Sequence, residues 1–171
     1  SSSIAQSGND PFSVTPGTAG NWGPFDEFVF DSTGRIIGAD AILDGTRWNA
    51  ASVGGTGTTP DTIGLYFGGP LAQAAFGGEP VPIYSPTTWS DGSSGSHLDD
   101  DFFTGVESRI MNAATGDGPG IRTLSTVEQA IFRDLGFTVV PEPHEYALIT
   151  IFGLSIVVAI RRNKWRQLAG A

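Results

Sequence analysis

At 171 residues with no cysteine, the chain is long enough for a core-bearing domain and cannot be a disulfide-stapled scaffold. Residues 1–140 hold sixteen Asp and Glu against five Arg and no Lys, a formal charge of −11 inside an overall −9, which excludes nucleic acid as a natural partner. Abundant glycine with interspersed Trp and Phe fits a loop-rich folded domain and not a disordered tract.

Residues 1–24 are rich in Ser, Gly, Asn, Thr and Pro without apolar periodicity, and are expected to be poorly ordered loop or a truncated start. Ser1 stands where an initiator Met would be, and no basic segment followed by an apolar one precedes the body. The expectation is a fragment or processed form. The body is expected over 25–140. In it, Phe28-Val29-Phe30, the turn Asp31-Ser32-Thr33-Gly34 and Arg35-Ile36-Ile37 read as strand, turn and return strand. A flexible Gly- and Thr-rich stretch from Ser52 to Thr62 leads to a strand at Ile63 to Phe67.

Pro70 to Phe76, set between Gly68-Gly69 and Gly77-Gly78, is punctuated as a short helix, and Val81 to Tyr84 as a strand near a sheet edge. Ser125-Thr126-Val127-Glu128 has the pattern of a capping box. Val127, Ile131 and Leu135 then recur at helical spacing, and Gly136 ends the helix.

Three segments between Tyr84 and Phe137 carry a resemblance. Ser96-His97-Leu98-Asp99, then Ile110-Met111, then Leu124-Ser125 with Asp134-Leu135-Gly136-Phe137 resemble, in order and spacing, the C-terminal part of a metzincin-like zinc peptidase family distantly related to leishmanolysin. The stretches from Phe25 to Asp31 and from Phe67 to Pro86 are similar to the same family. The resemblance implies an α+β, loop-rich C-terminal subdomain of a metzincin-like domain. It implies Zn²⁺ as cofactor with His97 as the third ligand, Met111 in the Met-turn beneath the metal, and Asp99 orienting the imidazole. Asp100 and Asp101 read as a solvated acidic loop.

The departure from that pattern is that no HExxH occurs in the chain. His144-Glu145 is followed by Leu148 at the position where the second His would fall. The general-base Glu and remaining ligands are therefore expected upstream, the chain supplies one metal ligand and no catalytic residue, and it is expected to be inactive alone.

The last thirty residues have a different character. Pro141-Glu142-Pro143 precedes an apolar run from Tyr146 to Ile160, and Arg161, Arg162, Lys164 and Arg166 follow. Interfacial Tyr146 and Trp165 and the snorkelling cations extend a run that is short for a bilayer, so a membrane helix over 146–160 with a cytoplasmic C-terminus is expected. The arrangement over 141–167 resembles the PEP-CTERM sorting signal of exported bacterial proteins. It implies an exosortase-type enzyme and the membrane as partners, with the body passing to the cell surface or extracellular matrix.

Two function classes follow. One is the C-terminal portion of an exported, surface-sorted zinc peptidase acting on peptide or protein substrates. The other is a non-catalytic envelope or extracellular matrix protein sorted by the same signal.

Overall fold

The hairpin read from the sequence forms, and a helix outside that reading locks it. In the computed structural model, strands β2 (Val29–Asp31) and β3 (Gly34–Arg35) pair antiparallel, with Phe30 opposite Arg35 and Asp31 opposite Gly34. Asp31 Oδ1 accepts from the Thr33 amide and hydroxyl, both at 2.7 Å, which closes the turn as an Asx turn. The structure describes residues 4, 18–20, 22–55, 64–114, 121–138, 151, 152, 154–156 and 160.

Two short strands flank this hairpin in sequence. Strand β1 (Thr18–Ala19) pairs with β4 (Ile42–Leu43) in a separate two-stranded sheet, so part of the segment expected to be loop is ordered as strand. Helix α1 (Gly45–Ala51) follows, with Asp44 as its N-cap accepting from the Arg47 amide at 3.0 Å. Arg47 then turns its guanidinium onto the hairpin. Nε donates to Asp31 Oδ2 at 2.8 Å, Nη2 donates to Asp31 Oδ1 and to the Gly34 carbonyl, and Nη1 donates to the Arg35 carbonyl.

The main sheet is wholly antiparallel in the order β3-β2-β5-β6, with β5 spanning Leu65–Phe67 and β6 spanning Val81–Ile83. All three β5 residues are buried, matching their uninterrupted apolar character. The rings of Phe25 and Phe28 lie over Phe67, at 5.3 and 5.4 Å between centroids. Pro82 has no amide to donate, and its carbonyl accepts from the Asp99 amide at 3.2 Å. The strand expected near an edge is thus the last of the sheet, with its outer side covered by the segment that carries His97.

Helix α2 (Pro70–Ala75) starts with Pro at its first turn and Gly69 as N-cap, which has no side chain to offer. The cap comes from elsewhere. Asp134, the last residue of helix α3 (Thr126–Asp134), accepts from the Leu71 and Ala72 amides at 3.1 and 2.8 Å. A Cβ on Gly69 would lie 2.3 Å from Asp134 Oδ2 and 2.5 Å from the Phe67 ring, so only glycine lets the two helices meet here.

Helix α3 has both halves of the expected capping box. Val127 and Ile131 face the core, and Gly136 at φ +86° ends the helix, with the Phe137 amide donating to the Phe132 carbonyl at 2.9 Å.

The chain divides into two units, Ser1–Phe137 and Thr138–Ala171. In the second, residues 151, 152, 154–156 and 160 are helical, and Ile151, Phe152, Leu154, Ile156 and Ile160 are each more than half exposed. The expected membrane helix is overturned: among the described residues no helix is long and apolar enough to cross a membrane. The length of the run explains this. From Tyr146 to Ile160, at about 1.5 Å per residue, it spans about 22 Å against a hydrocarbon core of roughly 30 Å. The expected inner-membrane anchorage falls with it. The described residues are therefore mixed α and β with a small antiparallel sheet, and no spanning helix is found among them. Pro141, Glu142, Pro143, Arg161 and Arg162 lie outside the described residues.

Candidate functional site

The site is built on two chain segments laid beside β6. The Tyr84 amide donates to the His97 carbonyl at 2.9 Å and the Gly95 amide to the Tyr84 carbonyl at 2.9 Å, while Ile83 bridges to Leu98 antiparallel. Leu98 bridges in turn to Asn112, parallel, with its amide donating to the Met111 carbonyl at 2.7 Å. The structure therefore brings the His97 and Met111 segments side by side, as two rungs added to the outer edge of the sheet.

His97 is half-buried. Its Nδ1 lies 3.2 Å from the Ser93 carbonyl and 3.2 Å from Ser96 Oγ. Both of these ring contacts are made through Nδ1. Asp99 does not hold this ring through Nδ1. Its Oδ1 accepts from the Asp101 and Phe102 amides at 3.0 and 3.3 Å, and its carbonyl accepts from Phe103 at 2.8 Å, so it caps the turn that follows. The residue is fully buried, and among the described residues Oδ2 has no hydrogen-bond partner. Burial, aided by the charges of Asp101 and Asp100, pushes its carboxyl up to about 6 against the pull of the two amides. Burial also raises the Tyr84 phenol, with Asp100, Asp101 and Asp99 adding to the effect.

Met111 is half-buried and packs against the core. Its amide donates to Glu128 Oε1 at 2.8 Å, and Glu128 Oε2 accepts from the Ser125 amide and hydroxyl, each at 2.8 Å. One fully buried carboxylate thus caps α3 and ties down the Met111 segment. Asn112 Nδ2 donates to the Phe103 carbonyl at 2.6 Å. Phe76, Phe102 and Phe103 form an edge-on cluster with the Arg109 guanidinium 5.1 Å above the Phe103 ring.

The zinc expectation is corrected here. Among the described residues no group of three His, Cys, Asp or Glu side chains is placed to hold a metal ion. Asp99 Oδ1 and both oxygens of Glu128 are taken up by donors of their own fold, and no two further ligating side chains join His97 among the described residues.

Two residues that organise this region, Glu128 in its link to Met111 and Asp134 in its link to α2, lay outside the sequence reading of the site. Asp134 carried a signal. An acid in the last turn of a helix faces the unfavourable end of the dipole, which points to a partner elsewhere. No protein-family model, no curated protein and no solved structure matches the chain.

Proposed function

We propose that the chain is a non-catalytic structural protein of the envelope or extracellular matrix, delivered by the sorting route that its Pro141-Glu142-Pro143 and Arg161-Arg162 motif resembles. One observation carries the reading. Two buried carboxylates, Asp99 on the His97 segment and Glu128 on α3, are engaged by amides of the fold, Asp99 through Oδ1 with Asp101 and Phe102, and Glu128 with Met111 and Ser125. A carboxylate acting as general base must instead reach a substrate or water proton. The acidic, cysteine-free body and its coupled short elements suit a packing role.

The adjacency of His97 and Met111 favours a second reading, the C-terminal portion of an exported peptidase. One experiment separates the two. The full-length gene product and its His97→Ala variant are incubated with casein and with a quenched fluorescent peptide library. Equal, blank-level turnover supports the structural role. Cleavage by the parent that the variant lacks overturns it. The sorting arm is tested by deleting residues 141–167 and following the distribution of the tagged protein between cell fractions and medium. An unchanged distribution removes the sorting signal from the proposal.

A further inference from the structure

We propose that Glu128 is a positioning residue for His97, acting through Met111 and Leu98, so that helix α3 sets where the imidazole sits. The inference goes beyond the functional reading and holds whether or not the chain cleaves peptides.

The route has few steps. Glu128 is fully buried on α3, and its Oε1 accepts from the Met111 amide at 2.8 Å. The Met111 carbonyl accepts from the Leu98 amide at 2.7 Å, and Leu98 is joined to His97 by the peptide bond. On the opposite side the same stretch is held by β6, through the Tyr84 amide at the His97 carbonyl and the Ile83 to Leu98 bridge. The His97 backbone is thus gripped from two sides, and only one grip depends on α3.

The chemistry requires a carboxylate. Three donors converge on Glu128: the Met111 amide on Oε1, and the Ser125 amide and hydroxyl on Oε2. A carboxylate offers an acceptor oxygen at each end, and bonds to an ionised acceptor are the stronger class. Glutamine offers one acceptor and one NH₂, so at one end an N–H would face an N–H. With two Ser125 donors at one end and the single Met111 amide at the other, the glutamine oxygen stays with Ser125 and the substitution breaks the Met111 link. The Ser125 hydroxyl serves only the cap, since it donates to Glu128 Oε2 and accepts from the Glu128 amide at 3.2 Å. Asp134 sits at the far end of α3 and serves only α2. Ser125→Ala therefore weakens the cap of α3, and Asp134→Ala the cap of α2, without touching the Met111 link.

The test uses the full chain and reads the ring directly. With only two histidines, His97 and His144, the imidazole ¹⁵N resonances are assigned by one His97 substitution. Glu128→Gln is expected to shift the His97 ring resonances and to speed exchange of the Leu98 and Met111 amides about tenfold more than that of the β5 amides. Ser125→Ala and Asp134→Ala are expected to lower the unfolding midpoint while leaving the His97 ring resonances in place. If Glu128→Gln moves His97 no more than those two variants do, the proposal fails. Native-state exchange of the parent gives an answer even if that variant does not fold. The Leu98 and Met111 amides should open together with those of α3, and a separate opening with α3 still closed overturns the link.

Discussion

Asp99 is a carboxyl whose charge the fold disfavours, and that fixes the sign of its pH effect. Its ordinary value is 3.8 and in the folded chain it stands at about 6, so between those values the native state binds more protons than the unfolded state. Its contribution therefore improves as pH falls from 6 to 4, and it is a cost above 6. After allowance for solvent screening, that cost is about 1 to 2 kcal/mol. Asp99→Asn keeps an oxygen for the Asp101 and Phe102 amides but cannot ionise. The variant should be more stable than the parent by about 1 kcal/mol at pH 7 and should lose that advantage at pH 4. Urea midpoints at the two pH values check this, and an equal difference at both would assign the effect to packing. A second residue is strained by its backbone. Ala41 has φ +58°, where its carbonyl accepts from the Trp22 indole at 2.8 Å. Ala41→Gly should raise stability at that turn by up to about 1 kcal/mol, because glycine adopts the conformation without steric cost. An unchanged or lowered thermal midpoint would show that glycine's greater unfolded-state entropy wins.

The elements differ in how their stability is supplied, and Asp134 shows the difference most directly. Helix α2 has six residues and no side-chain cap of its own. Its first turn depends on the carboxylate of another helix, and Asp134→Ala should cost about 1 to 2 kcal/mol, as for loss of an N-cap. Gly69→Ala should be worse, since the added methyl meets both Asp134 and Phe67. Chemical denaturation of the two single variants and the double variant checks this. Near-additive costs would mean that Gly69 and Asp134 do not share the contact. This dependence also marks where the sequence was legible. The hairpin and α3 announce themselves through local chemistry, an Asp-Ser-Thr-Gly turn and a Ser-x-x-Glu box, whose partners lie within three residues. Helix α1 does not. It is short, opens on Gly45, and is held by Arg47 reaching back to Asp31, Gly34 and Arg35 over a dozen or more residues. For the site, the structure shows that the His97 and Met111 segments adjoin through the Leu98 amide at the Met111 carbonyl. The Asp101 and Phe102 amides at Asp99 and the Met111 amide at Glu128 are backbone groups, which no residue pattern displays.

At the scale of the whole folded unit, two carboxylates with opposite shifts set the shape of the stability curve. Burial would raise Asp31, but hydrogen bonds from Arg47 and Thr33 outweigh it and hold the carboxyl at about 2. A depressed acid stabilises the fold at all pH above its unfolded value, and that contribution is lost as pH falls from about 4 towards 2. Asp99 works in the other direction between 6 and 4. Net charge acts with Asp99, since the formal −9 at pH 7 falls towards zero near the isoelectric point of about 4.4, relieving self-repulsion. The urea midpoint is therefore expected to rise as pH is lowered from 8 to about 4 and to drop steeply below it as the Asp31 to Arg47 clamp is protonated away. Salt separates the two causes of the rise. Raising NaCl to 0.5 M should increase the midpoint at pH 7, where the chain is strongly anionic, and change it little at pH 4.4, because screening relieves only the long-range repulsion. The part of the rise that persists in high salt and vanishes in Asp99→Asn belongs to the buried carboxyl. A midpoint highest at pH 7 to 8 would mean that carboxylates other than Asp99 gain more from the fold than their mutual repulsion costs, and would overturn this account of the balance.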